Sequence, residues 1–320
     1  MTSGRVSSAT IIVTALLLAP SLKAWNNFGH LVVAYVAYSR LDPAARAKVD
    51  LLLSLNPYFA GRWSRQLPPG ASDADRNAYI FMLAATWPDV IKRDDQYHND
   101  GDRNGDRPSG PDVARNTGYD DFNRHKYWHF VDRPFSIDGT ALPSIPSPNA
   151  ETQITVFRQV LHSGAADGLK SYDLVWLLHL VGDVHQPLHA ATRVSKAHPD
   201  GDSGGNDVHF CGQTAPQCTS ELHAFWDGIL GYSNDLAAAK SFAAGLKVPL
   251  VRPGAAGPAG KWIKESFQLS KADVYAPPVG PGDGPYRATR KYTDRARRIA
   301  RKRVALAGAR LAAILNSELQ

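Results

Sequence analysis

The sequence predicts an all-α protein built as a single helical domain, and three observations carry that expectation. Apolar residues recur with helical period almost throughout. Convincing alternation of apolar and polar residues, the mark of a half-buried strand, is absent. The stretches between the periodic segments (98–121, 133–148, 194–218, 252–259 and 276–286) are rich in Gly, Pro, Asp and Ser, the residues that punctuate chains. At 320 residues with 43% hydrophobic and 21% charged positions, the composition is globular rather than disordered.

His30 to Leu41 is apolar enough for a buried first helix. Asp42-Pro43 then supplies an N-cap and a first helical residue for a second helix running to about Leu55. Asp75 to Thr86 is a third, expected to stop before Pro88, because the residue preceding a proline is pushed out of the helical region. Asn149 caps a fourth, to about His162. Tyr172 to Gln186 is strongly apolar and ends at Pro187. Shorter helices are expected over Ser220–Leu230, Asp235–Leu246 and Gly260–Lys271, and a long last one over Arg287–Asn316. No internal repeat is present. The residues suited to metals lie on helices separated by these loops, which argues for one all-α domain rather than two.

Residues 1–24 read as a secretory signal. Arg5 precedes the apolar run Ile11 to Pro20, and Leu22-Lys23-Ala24 ends on a small residue suited to cleavage. The alternative is an uncleaved anchor, but the run falls well short of the ~18 residues a membrane span needs. The mature protein, 25–320, is then soluble, secreted or periplasmic, without a membrane, and expected as a monomer. Arg5 and Lys23 are the only charges in 1–24, so the formal net charge of +6 falls to +4 on cleavage. A mildly basic chain attracts polyanions, but that alone does not establish nucleic-acid binding. Much of the surplus lies in the last helix (Arg287, Arg290, Lys291, Arg295, Arg297, Arg298, Arg301, Lys302, Arg303), where a solvated face is the expected reading. Cys211 and Cys218, with six residues between them in a Gly/Pro/Gln loop, are expected to form one small-loop disulfide in an exported protein. They lack the spacing of a zinc site.

Metal chemistry must come from elsewhere. His179 and Asp183 are four residues apart, hence on one face of a helix whose neighbours (Leu174, Val175, Trp176, Leu177, Leu178, Leu180, Val181) are apolar. Burying both is costly unless a partner satisfies them. A metal does so, and so does a plain His–Asp hydrogen bond. His223 and Asp227 repeat the spacing among aromatic neighbours. His189 follows Pro187, Asp89 follows Trp87-Pro88, and His129 sits in Tyr127-Trp128-His129-Phe130. Histidine and aspartate in this mixture suit zinc with positions left for water. Cleavage after Ala24 would also free the Trp25 amine, which with its own carbonyl can chelate a metal, and His30 follows five residues on. Pro187 between His185 and His189 argues against a shared helical face, so His185 is assigned to packing or to hydrogen bonding behind the ligands. His98, His125, His162, His198 and His209 are expected at the surface. Gly204-Gly205-Asn206 is expected to form a tight turn without a catalytic role.

The ordered motifs WNNFGH (25–30), WPD (87–89), YWHF (127–130), HLVGDVHQPLH (179–189), GGN (204–206) and HAFWD (223–227) together resemble the nuclease S-one/P-one family, the zinc-dependent single-strand-specific nucleases of fungi and bifunctional nucleases of plants. That family shares its fold with bacterial zinc phospholipase C. The resemblance spans 25 to 227, and Ala307-Gly308-Ala309-Arg310-Leu311-Ala312 also looks like the family's end.

The resemblance implies three zinc ions. Asp89, His129, His179 and Asp183 would hold one, and Trp25, His30 and Asp183 a second, with Asp183 bridging. His189, His223 and Asp227 would hold the third. It further implies that a water between the bridged zincs, its pKa lowered toward ~7, attacks phosphorus in line. The third zinc would neutralise the leaving 3′-oxygen, and Asp89 would orient the water while ligating. Single-stranded DNA, single-stranded RNA and 3′-nucleotides are the implied substrates, with 5′-phosphoryl products. Phe130 and Asp132 match the positions that stack on a base and accept its hydrogen bonds, a mode that demands an unpaired strand. Lys92 stands where the family often carries an arginine near the phosphate, keeping the charge but losing the bidentate fork, with Arg93 next to it. Two other readings are a phospholipase C on the same scaffold and a non-catalytic metal- or nucleic-acid-binding protein. Phe130 and Asp132 favour a base pocket over the first, and the intact set of nine ligands argues against the second.

Overall fold

The computed structural model describes residues 25–100 and 116–319. The signal reading of 1–24 and most of the 98–121 loop fall outside them. Among the described residues, ten α-helices carry the architecture and four strands of two or three residues contribute little, so the all-α expectation holds.

Helix α1 (Asn27–Tyr38) begins three residues earlier than the sequence suggested, because the Asn26 side chain accepts from the Gly29 N–H and caps it. Nearly all of α1 is buried. Helix α2 (Pro43–Ser54) starts on the expected proline. Helix α3 (Asp73–Ala84) is capped by Ser72 and ends before Trp87. The stop before Pro88 is as expected, and Pro88 itself opens a further short helix. It sits in the first turn of the short α4 (Trp87–Ile91), where its missing N–H costs nothing.

Helix α5 (Ala150–His162) opens on a capping box in which Asn149 and Thr152 satisfy each other's backbone N–H groups. A four-residue link turns the chain back into α6 (Asp167–Asp183), which begins five residues before the expected start. Every residue of α6 from Ser171 to Asp183 is buried, so it is the central helix. The remaining helices are α7 (Leu222–Asp227), α8 (Leu236–Ala244), α9 (Ala259–Leu269) and the long α10 (Arg290–Glu318).

Helix α1 packs against α3, α6, α8 and α10. Its approach to α10 depends on Gly308, where a Cβ would lie 2.4 Å from Val36 Cγ1 and 2.8 Å from the Val33 carbonyl oxygen. Its approach to α6 places His30 over Gly182, where a Cβ would meet the imidazole Nδ1 at 3.0 Å. Behind α4, Trp87 is ringed edge-on by Tyr58, Tyr97, Tyr119, Tyr172 and Trp176.

The strands pair in parallel. β1 (Pro134–Ser136) runs beside β2 (Thr192–Val194), Pro134 opposite Thr192, and β3 (Phe210–Cys211) beside β4 (Tyr286–Arg287). The first pair aligns the chain leaving His129 with the chain leaving His189. Next to the second, Cys211 and Cys218 form the expected disulfide, and Arg287 donates to the carbonyls of Gly212, Gln213 and Ala215 in its loop.

The solvated basic face of α10 is only part of the truth. Arg290, Lys291, Arg297, Arg298, Arg301 and Lys302 are exposed. Arg303 is instead buried with Arg310, and both clasp Glu265 of α9 at 2.8–3.0 Å. Among the described residues no helix is long and apolar enough to cross a membrane.

Candidate metal centre

The four-residue spacing on α6 puts His179 Nε2 3.3 Å from Asp183 Oδ2. Two further histidines converge on the same carboxylate. His30, from α1, places Nε2 3.2 Å from Asp183 Oδ1, and His129, from the short turn 126–129, places Nδ1 3.0 Å from Oδ2. His30 and His179 stack ring on ring at 3.8 Å, and His179 Nε2 lies 3.0 Å from His129 Nδ1 and 3.8 Å from Asp89 Oδ1. On α7 the second spacing repeats, with His223 Nε2 3.5 Å from Asp227 Oδ2 and 3.1 Å from His189 Nε2.

Ligand atoms therefore gather in three groups, each within 4.8 Å, that could hold a metal ion: His30, His179 and Asp183; Asp89, His129 and His179; His189, His223 and Asp227. Eight of the nine residues singled out from sequence are in them. His179 belongs to two, and Asp183 touches members of both, His30 through Oδ1 and His129 through Oδ2. The ninth, Trp25, is buried at the foot of α1. Next to it, Asn26 donates through its backbone N–H to the Asp227 carbonyl at 3.3 Å and through its side chain to the Gly231 carbonyl at 2.6 Å. In the full chain the Trp25 nitrogen is an amide, so an amine ligand belongs to a chain cleaved after Ala24.

The donor set fits a cation. His30 Nδ1 and Nε2, His129 Nε2, Asp89 Oδ2 and Asp183 Oδ1 are buried without a hydrogen-bond partner. Orphaned buried atoms concentrated at one place are what a metal relieves. Tautomers agree too. His179 Nδ1 donates to the Ala85 carbonyl at 2.7 Å, His189 Nδ1 to the His129 carbonyl at 2.8 Å, and His223 Nδ1 to the Gly204 carbonyl at 2.8 Å. Each leaves the Nε2 lone pair aimed inward.

Burial drives the imidazoles of His129 and His223 down to about 3, so both are neutral ligands at neutral pH. Burial pushes the Asp227 carboxyl well up, which leaves its anion in need of a cation. Burial also opposes ionisation of Asp183, but the adjacent His179, His129 and His30 outweigh it and hold the carboxyl well below its usual range.

Lys92 is turned inward. Its Nζ lies 2.7 Å from Asp89 Oδ1, with side chains only 8% and 5% exposed, and its charge lowers Asp89 against the effect of burial. Phe130 and Asp132 follow His129 directly and are half-buried, Phe130 against the edge of the core. His185 lies away from the centre. It donates from Nδ1 to the Val181 carbonyl at 2.7 Å and accepts from Arg310 Nη1 at 2.9 Å.

One reading, the tight turn at Gly204, is met and gains a detail, and another needs correction. Gly204 does more than turn the chain, since its carbonyl orients His223. At φ +61° a Cβ there would sit 2.8 Å from the Leu188 carbonyl oxygen, so only glycine fits without strain. His125 is buried rather than superficial, with Nδ1 2.6 Å from Asp100 and Nε2 2.8 Å from Asp121. Its partner carboxylates bound the Asp-rich 98–121 loop, whose composition does not say which of them turn inward. Gln186, quoted only within a motif, reaches Asp227.

Together the helical fold and three inward-facing His/Asp groups make a helical protein with a candidate metal centre. A family profile described as S1/P1 Nuclease matches residues 25–320. The chain belongs to the S1/P1 nuclease family. It is 25% identical over 248 residues to Nuclease S1 of Aspergillus oryzae, covering 73% of this chain and 65% of that protein. It is 26% identical over 221 residues to Endonuclease 2 of Arabidopsis thaliana, covering 68% of this chain and 60% of that one. The matched region thus spans slightly less than two thirds of either relative.

Proposed function

We propose that the chain is a zinc-dependent nuclease that hydrolyses the P–O3′ bond of single-stranded DNA and RNA, giving 5′-phosphorylated products, and removes phosphate from 3′-nucleotides. The observation that carries this reading is the convergence of three buried His/Asp groups in a member of the S1/P1 nuclease family. Residues 25–320 would be the working domain, exported as a monomer to the periplasm or beyond after loss of 1–24. Trp25, His30, His129, His179 and Asp183 with Asp89 would hold two zincs, and His189, His223 and Asp227 a third. Bound zinc supplies Lewis acidity, which activates water near neutral pH and neutralises charge on a leaving oxygen.

The chain's own groups do the rest. Asp89 Oδ1 is engaged by Lys92, so Oδ2 is the oxygen available to ligate and to orient water. Lys92 offers the phosphate a point charge instead of a fork. Phe130 would stack on an unpaired base, with Asp132 accepting from its edge. Paired strands keep their bases stacked and out of reach, which accounts for a single-strand preference.

The test combines two measurements on the cleaved chain. Elemental analysis should find zinc, and single-stranded DNA should release acid-soluble 5′-phosphorylated nucleotides faster than duplex. Zinc without release sinks the nuclease reading, and turnover of phosphatidylcholine in its place would point to a phospholipase.

A further inference from the structure

Gln186 is fully buried in the turn that follows α6, and both ends of its amide are committed. Oε1 accepts from the Leu188 N–H at 2.5 Å, and Nε2 donates to Asp227 Oδ1 at 2.7 Å. The first bond fixes the sense of the second, because a flipped amide would set N–H against N–H at Leu188. Asp227 Oδ1 is therefore bound to accept from a neutral donor. The other oxygen, Oδ2, is the one that faces His223 Nε2, at 3.5 Å.

We infer that Gln186 is a positioning residue for the metal position made by His189, His223 and Asp227, holding Asp227 as a one-oxygen anionic ligand. The inference rests on the zinc reading proposed above. The chemistry of the donor matters. A carboxylate free to rotate about its last bond offers a metal either oxygen or both. A hydrogen bond to one oxygen removes that freedom. A neutral donor also leaves the negative charge of Asp227 undiminished for the cation. Lys92 at Asp89 shows the contrasting arrangement, a cationic donor that cancels the carboxylate it holds.

The support for Gln186 is itself fixed. Its backbone N–H donates to the Asp183 carbonyl at 2.8 Å. The preceding carbonyl, of His185, accepts from Arg303 Nε at 3.1 Å, and the His185 ring is held by Val181 and Arg310. One amide therefore ties the end of α6 to the carboxylate of α7.

Zinc stoichiometry and chelator competition on the chain cleaved after Ala24 test the inference. Gln186→Met removes both bonds at similar volume. Gln186→Glu keeps an acceptor for Leu188 and, when ionised, replaces the donor with an oxygen that repels Asp227, so it reports even if the first variant folds poorly. Each variant should weaken one of three zinc affinities by about 10- to 100-fold and leave the other two unchanged. Cobalt substituted at that position should show a weaker visible band, as a freed Asp227 closes on the metal with both oxygens. A merely structural role would lower the melting temperature of the metal-free chain and move neither readout. If His189→Ala loses one zinc while both Gln186 variants keep all three affinities, the inference is overturned and the zinc reading stands. If the unsubstituted chain binds fewer than three zincs, or His189→Ala loses none, the zinc reading falls and the inference with it.

Discussion

Helices α6 and α7 carry the same device, histidine and aspartate four residues apart, in opposite settings. On α6 the carboxylate of Asp183 meets three imidazoles, and the helix is buried along 13 consecutive residues. On α7, a helix of six residues, Asp227 meets one imidazole and a neutral amide. Spacing fixes which face the ligands share, while the surroundings fix their charge. Asp183 is held ionised, whereas Asp227 without a cation is held toward its neutral acid. Rigidity differs in origin too. Helix α6 is rigid because it is the core. Helix α7 is held from outside, by Gly204 on His223, Gln186 on Asp227 and Asn26 on its last carbonyl.

The largest effect expected is on the α6 side. Asp183→Asn should remove at least one zinc and lower nuclease turnover by more than ~100-fold, since loss of a ligand must exceed the ~10- to 100-fold typical of losing a supporting residue. Full turnover with unchanged zinc content would disprove its central role. A chain with one added residue before Trp25 should lose one zinc and most activity while keeping the His189, His223 and Asp227 position filled. Equal zinc content in the two chains would remove Trp25 from the ligand set.

Metal-free protein gives a sharper contrast between the helices. The folded pKa of Asp227 is raised, so its ionisation opposes folding once pH exceeds the unfolded value of about 4. The folded pKa of Asp183 is depressed, so its ionisation favours folding above that same value and the benefit is lost only as pH falls. In EDTA at pH 8, Asp227→Asn should therefore melt higher than the unsubstituted chain and Asp183→Asn lower. Shifts of the same sign would break the comparison. The smallest effect expected is at Gly204→Ala, which should cost about 1–3 kcal/mol through backbone strain at positive φ. It should also weaken the zinc held by His223 without touching the α6 groups, as chelator titration would reveal.

The helical fold and the identities of all eight grouped residues were legible in sequence, the fold and the His–Asp pairs because they obey spacing rules. Apolar residues at helical period mark α1, α5 and α6, and a polar pair inside such a run stands out at His179 and Asp183. The partners of those ligands were not legible, for a physical reason. His179, His189 and His223 are oriented by the carbonyls of Ala85, His129 and Gly204, and every residue has a carbonyl. Only Gly204, through its positive φ, left a mark in the residue type. The burial of Arg303 was hidden similarly, because its carboxylate partner Glu265 lies distant along the chain, and that of His125 because Asp100 closes its other side from 25 residues away. Pro88 marked the stop of α3 as expected but also opened a short helix that the sequence reading did not include, since a proline forbids the helix behind it but welcomes the one ahead.

His129 has one more consequence. Its ring faces Asp183, while its carbonyl receives the ring of His189, and the Val131 N–H reaches the His189 carbonyl at 2.7 Å. One residue, His129, thus touches both clusters, its ring on the first and its carbonyl on the second. If the proposed nuclease reading holds, a spacing tied to a single peptide unit would let loops at the rim diverge without changing how the two clusters face one another.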